Sequence, residues 1–169
     1  MRIFGLAGWS GSGKTTLMTA LIPEFVSRGV TVSTLKHAHH AFDVDQPGKD
    51  SWRHRQAGAR EVMVSSPNRW ALMHELRGAP ESSFEELVRR MSPVDLLLVE
   101  GFKRYPHPKI EVYRPSLGKP LLHPEDAFVV AIASDEALPG LPLPWLLLSD
   151  AGAIADFILG RDERERWPS

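Results

Sequence analysis

Residues Gly8-Trp9-Ser10-Gly11-Ser12-Gly13-Lys14-Thr15, followed by Thr16, fit the phosphate-loop pattern G-x-x-x-x-G-K-[ST]. No other stretch constrains the fold as tightly, because the pattern works only between a strand and a helix. Both flanks are present. Arg2 to Ala7 is a short apolar run of strand character, and Leu17 to Ile22 continues as the first turns of a helix. The chemistry needs each part. Glycines let the backbone curl so that successive N–H groups converge on phosphate oxygens, and the helix N-terminus adds its positive dipole end. Lys14 then reaches the β- and γ-phosphates and the Thr15 hydroxyl is a ligand for Mg2+. The chain reads as a nucleotide-binding protein.

The remaining elements point to an α/β fold with a mostly parallel sheet. Lys14 to Arg28 reads as a helix ending at Gly29, with Pro23 as an internal conflict that predicts a kink. Val30 to Leu35 is β-rich and is expected as a second strand parallel to the first. A short helix over Ser51 to Ala57 is capped by Asp50 and stopped by Gly58. Glu61 to Ser65 and Arg69 to Glu75 read as a hairpin that adds an antiparallel element to the sheet. Ser82 with Glu85, and Ser83 with Glu86, have capping-box spacing for a helix to about Met91.

Asp95 to Gly101 holds an apolar run without alternation, the pattern of a strand buried on both faces. Lys109 to Tyr113, Phe128 to Ala133 and Trp145 to Leu148 read as further strands. Asp150 caps a last helix to Leu159. The organisation expected is one domain over residues 1–160 and a charged tail over 161–169.

Chemistry concentrates where strands end. Glu100 closes the apolar run and suits a Walker B role, holding the Mg2+ shell or orienting a water. Asp95 opens the same run at the opposite end and reads as a cap. His37, His39 and His40, with Asp43, Asp45 and Asp50, form a polar loop after the second strand. Clustered histidines invite a metal, though loop histidines without cysteine more commonly meet solvent or anions. Arg53, Arg55, Lys103 and Arg104 are a second positive set, read either as an anion site or as a solvated face. Asp135 stands after a late strand, where a carboxylate could face the guanine N1 and N2 donors. A plain turn aspartate fits the position as well.

Composition narrows the setting. With 169 residues, 43% hydrophobic and 24% charged, the chain is an ordinary globular domain in size and balance. A net charge of −1 gives no general electrostatic case for nucleic acid or an anionic membrane. The sequence contains no cysteine, hence no disulfide framework and no thiolate metal site. The first strand starts at Arg2, so no leader is expected, and no apolar run reaches the length of a membrane helix. A cytoplasmic location is the default expectation.

Three blocks together carry a resemblance: G-W-S-G-S-G-K-T-T; R-G-V-x-V-x-x-L-K-H-A-H-H-x-F-D-V-D-x-P-G-K-D-S-x-R-H-R-x-A-G-A; and L-L-L-V-E-G-F-K. They closely resemble the molybdopterin-guanine dinucleotide biosynthesis protein B family over most of residues 1 to 135. The middle block is the specific part. The resemblance implies a P-loop GTP-binding protein with weak intrinsic GTPase activity, and a homodimer with a joined β-sheet. It implies assistance to the guanylyltransferase that attaches GMP to molybdopterin, with molybdopterin or its guanine dinucleotide form and apo-molybdoenzymes as further contacts. By that matching Gly11, Ser12, Gly13, Lys14, Thr15 and Thr16 bind phosphates and Mg2+. Glu100 is the Walker B acid, Lys14 and Glu100 serve any hydrolysis, and Asp135 reads guanine. His37, Arg53 and Arg55 belong to a block lining the nucleotide or cofactor site. A GTPase metallochaperone using His37, His39 and His40, and a small-molecule kinase using Arg53 and Arg55, are the alternatives.

Overall fold

The computed structural model describes residues 1–38 and 42–161. The expectations for His39, His40 and the tail beyond Arg161 fall outside these residues. The chain divides into two compact units, one formed by Met1–His37 with the segment from Met91 onward, the other by Ala38–Arg90.

The first unit is built on a six-stranded parallel sheet. Its strands are β1 (Arg2–Ala7), β2 (Val32–Lys36), β5 (Leu96–Glu100), β6 (Lys109–Tyr113), β7 (Val129–Ser134) and β8 (Trp145–Leu147), in the order β2-β5-β1-β6-β7-β8. The second strand is thus parallel to the first but separated from it by β5, whose unbroken apolar run fits an inserted position. The chain moves outward on one side of β1, then returns to the other through β6. In sheets of this kind the crevice beyond the C-terminal strand ends, at that reversal, is where ligands bind.

Two helices seal one face of the sheet, α1 (Lys14–Ser27) and α4 (Ala151–Leu159). Leu17, Leu21 and Phe25 of α1 and Ile154 and Ile158 of α4 join Phe4, Leu6, Leu98, Ile110 and Ala131 in a continuous core. Each fully buried side chain of this size contributes about 1.5–3 kcal/mol. Pro23 does not interrupt α1 as an element, which runs through it. Arg28 closes the helix and Gly29 follows in the left-handed region. Asp150 caps α4 by accepting the Ala153 N–H at 2.9 Å. Among the described residues no helix is long and apolar enough to cross a membrane.

The second unit contains α2 (Asp50–Gln56), the hairpin β3 (Glu61–Ser65) and β4 (Trp70–His74), and α3 (Phe84–Arg89). The expected antiparallel hairpin is present, and only its attachment is a correction to the sequence reading. It forms its own two-stranded antiparallel sheet and does not extend the parallel one. Asp50 is a second correction: Lys49 is the N-cap and Asp50 sits in the first turn, where its charge favours the helix dipole without a capping hydrogen bond. Of the two overlapping capping boxes the structure uses Ser83 with Glu86, in both directions, at 3.2 and 2.9 Å.

Candidate nucleotide site

The phosphate loop leaves the C-terminal end of β1 and enters α1. Gly8 has φ +149°, and a Cβ there would lie 2.4 Å from the Val112 carbonyl oxygen, so the loop can pass over β6 only with glycine. Gly13 is the helix N-cap in the left-handed conformation. Lys14 folds back across the loop and donates to the carbonyls of Gly8 at 3.0 Å and Trp9 at 2.9 Å. Burial pushes its pKa below the ordinary 10.5, Glu100 opposes the shift, and the positive charges of Lys103 and Lys36 add to it.

Strand β5 delivers Glu100 to the same place. Parallel pairing sets Glu100 beside Leu6 on β1 and beside Lys36 on β2. The Thr15 hydroxyl donates to Glu100 Oε1 at 3.0 Å, and Lys36 Nζ lies 3.4 Å from the same oxygen. The glycine after Glu100 is required: Gly101 has φ +94°, and a Cβ would come within 2.9 Å of His37 Cβ. His37 is placed here by its backbone N–H, which donates to the Glu100 carbonyl at 2.9 Å, and its ring tilts against Phe102 at 4.8 Å.

The loop from Gly101 to Pro108 adds a cation. Lys103 Nζ sits 4.7 Å above the Trp9 ring, and Trp9 is itself anchored by its indole N–H to the Pro120 carbonyl at 2.8 Å. The fixing point is Lys109, whose buried ammonium donates to the Lys103 and Tyr105 carbonyls at 2.8 Å each and to Asp126 at 2.9 Å. Three donors meet three acceptors, which is how a lysine with 1% of its side chain exposed is accommodated.

Behind the loop a cavity of about 330 Å³ opens beside the start of α1. Gly13, Thr16 and Leu17 form one wall, Leu147, Leu148 and Ser149 another, and Asp135 and Arg114 the polar edge. Asp135 Oδ2 accepts from Arg114 Nη1 at 2.7 Å, and Arg114 Nε donates to the Ser12 carbonyl at 3.1 Å. Ser12 itself is buried, its hydroxyl without a hydrogen-bond partner.

The structure therefore gathers Gly11, Ser12, Gly13, Lys14, Thr15, Thr16, His37, Glu100, Lys103 and Asp135 within the first unit. Arg53 and Arg55 lie on α2 of the second unit. Arg53 is exposed. Arg55 is already engaged, with Asp43 and Asp45 each at 2.8 Å and Glu75 at 3.7 Å. The hydrogen bond from Arg55 to Asp45 and the surrounding carboxylates hold that guanidinium firmly charged. Asp43 and Asp45 thus serve an ion pair. Among the described residues no group of three or more His, Cys, Asp or Glu is arranged to hold a metal.

Sequence reasoning missed Lys36, Lys109 and Arg114. Lys36 follows a β-rich run and looked like the start of a polar loop. Arg114 lay in a proline-rich connection without pattern. Lys109 had a signal: Lys109-Ile110-Glu111-Val112 alternates as a half-exposed strand does, yet all four are buried. Paired charges at alternate positions of a central strand mark buried structural groups.

Comparison with known proteins agrees with this architecture. The family model described as MobB, molybdopterin guanine dinucleotide synthesis protein B, matches residues 3–135. A molybdopterin-guanine dinucleotide biosynthesis adapter protein of Escherichia coli K12 is 43% identical over 163 residues, covering 93% of this chain and 91% of its own. Its namesake from Haemophilus influenzae is 42% identical over 157 residues, covering 92% and 86%. A crystal structure of molybdopterin-guanine biosynthesis protein B superposes with a TM-score of 0.72 at 27% identity, covering 94% of this chain and 98% of that one. A MobB homologue from Bacillus stearothermophilus gives 0.68 at 25% identity, covering 95% and 97%. The chain belongs to the molybdopterin guanine dinucleotide synthesis protein B (MobB) family.

Proposed function

We propose that this protein is a GTP-binding adapter in molybdopterin guanine dinucleotide biosynthesis, assisting the guanylyltransferase that attaches GMP to molybdopterin. Its curated relatives carry the name of adapters in that synthesis. The observation that carries the nucleotide reading is the contact of Thr15 Oγ1 with Glu100 Oε1, 3.0 Å, at the N-terminus of α1 with Lys14 in the same turn.

The donor set fits a hard divalent cation. The Thr15 hydroxyl and the Glu100 carboxylate would hold Mg2+ together with the nucleotide phosphates. Held there, Mg2+ would supply charge neutralisation to the phosphates. On binding, Lys14 would exchange the Gly8 and Trp9 carbonyls for phosphate oxygens, whose negative charge offsets the desolvation that depresses its pKa. Lys36 and Lys103 lie close enough to Lys14 to be felt there, and they add positive potential. Glu100 is occupied by Thr15 and Lys36, which suits orienting a cation or water better than taking a proton. Weak GTPase activity belongs to the same reading. Asp135 at the edge of the 330 Å³ cavity offers the carboxylate that guanine N1–H and N2–H would meet.

A homodimer and the cytoplasm belong to the same reading. The hairpin supports the dimer, since Met63, Trp70 and Leu72 on one of its faces are exposed at 62%, 66% and 46%. Exposed apolar strand faces of this kind favour association.

The test is calorimetric titration with GTP and ATP, each with and without Mg2+. The reading expects GTP to bind more tightly than ATP, with a Mg2+ dependence that Glu100→Gln reduces. Preference for ATP would contradict the guanine assignment and favour the kinase alternative.

A further inference from the structure

We infer that Arg114 is a positioning residue: it ties the base-facing carboxylate of Asp135 to the phosphate loop, so that base and phosphates are read by one rigid unit. The inference rests on the GTP reading above and goes beyond it by assigning a specificity role to Arg114, which acts through Asp135 and the Ser12 carbonyl.

The placement comes from sheet register. Tyr113 pairs with Ser134 across β6 and β7, so the next residue on each strand, Arg114 and Asp135, emerges side by side at the C-terminal edge. Arg114 then reaches in two directions. Nη1 donates to Asp135 Oδ2 at 2.7 Å and Nε donates to the Ser12 carbonyl at 3.1 Å. The guanidinium lies along Gly13, where an added Cβ would stand 3.6 Å from Nε and Nη2.

Each contact has a consequence. A carboxylate has about four lone-pair sites, and Arg114 uses one of them on Oδ2. Both oxygens keep a site for a two-donor edge such as guanine N1–H and N2–H, while rotation of the carboxylate is suppressed. On the other side, the peptide between Ser12 and Gly13 is planar and trans. Holding the Ser12 carbonyl toward Arg114 turns the Gly13 N–H the opposite way. One planar, permanently charged group therefore sets both the carboxylate and a loop amide, which a lysine with its point charge cannot do. The pair is about one-third exposed, with 38% of the Arg114 and 36% of the Asp135 side chain open, so little stability rests on it. Its effect is orientation.

The experiment measures GTP and ATP affinity, both with Mg2+, for the wild type, Arg114→Ala, Arg114→Lys, Asp135→Ala and the double variant Arg114→Ala/Asp135→Ala. Thermal melting of each checks the fold. Arg114→Ala is expected to lower the GTP-to-ATP preference on the order of tenfold, the scale of one misplaced charge-assisted hydrogen bond. Arg114→Lys should lower it as well, and the double variant should show the same preference as Asp135→Ala alone. Equal weakening of GTP and ATP in Arg114→Ala would mark a merely structural residue and overturn the inference. So would a preference in the double variant lower than that of Asp135→Ala. If Asp135→Ala loses the preference and Arg114→Ala keeps it, the inference fails while the GTP reading stands. If the wild type has no preference, both fail together.

Discussion

Strand β5 has a carboxylate at each end, and the two have different surroundings. Asp95, just before the strand, accepts the backbone N–H of Thr31 at 2.9 Å and its hydroxyl at 2.6 Å. Those hydrogen bonds hold its pKa below the usual carboxylate value. Beside it at the start of β1, Arg2 donates to the Ile158 and Leu159 carbonyls at the end of α4. Glu100, at the other end of β5, stands among Thr15, Lys36 and Lys14 with Lys103 nearby. There positive charge exceeds negative, and burial, joined by the charges of Lys103 and Lys36 against the pull of Glu100, depresses the Lys14 pKa. The difference teaches where to look for function in a sheet of this type. Charges at one end are matched within the fold, while those at the other leave a positive excess that, under the proposed function, an anionic ligand would balance.

Exchanging the roles of the two ends should therefore fail. Lys14→Ala is expected to weaken GTP binding on the order of a thousandfold, about 4 kcal/mol, by removing the charge nearest the phosphates. Its unfolding midpoint should hold or rise, because a lysine disfavoured by burial is gone. Calorimetry and urea denaturation read the two effects on the same sample.

The N-terminal end of β6 should show itself through pH. His107 is buried, and desolvation with the charge of Lys109 lowers its pKa from 6.5 to about 4, against the opposing charge of Asp126. Between those values the unfolded chain binds a proton that the folded chain refuses, so stability falls as pH drops from 6.5 towards 4. The loss is about 3 kcal/mol. His107→Gln should flatten that part of the profile, measured as urea midpoint against pH. An unchanged slope would remove His107 from the account.

The smallest effect belongs to Asp95. Asp95→Ala should lower the urea midpoint and leave GTP affinity unchanged. Because its folded pKa is depressed, the stability Asp95 adds is present above its unfolded pKa and fades as pH falls through the folded one. A change in GTP affinity would blur the contrast between the two ends.

The legible parts of this molecule were those encoded locally. The phosphate loop, the apolar run ending at Glu100, and the Ser83–Glu86 capping box each lie within a few residues and have one physical solution. What escaped depends on neighbours distant in sequence. Nothing beside Asp95 predicts Thr31 as its partner, because β2 and β5 meet only once the sheet order is fixed. Nothing in the loop after Tyr113 singles out Arg114, since its meaning comes from register with Ser134 and proximity to Ser12. The hairpin was readable as two strands, but its failure to join the parallel sheet is a tertiary outcome. Asp50 was misread for a local reason: Lys49 and Asp50 differ by one position, and helix starts are seldom readable more finely than that.

The most direct test is a crystal structure of the protein with Mg2+ and a non-hydrolysable GTP analogue. The account predicts that Lys14 Nζ leaves the Gly8 and Trp9 carbonyls for the β- and γ-phosphates, with Thr15 on the Mg2+ and Glu100 in or beside its shell. Asp135 should face the guanine edge. A nucleotide bound away from the loop, or Lys14 still on its own backbone with ligand present, would contradict it.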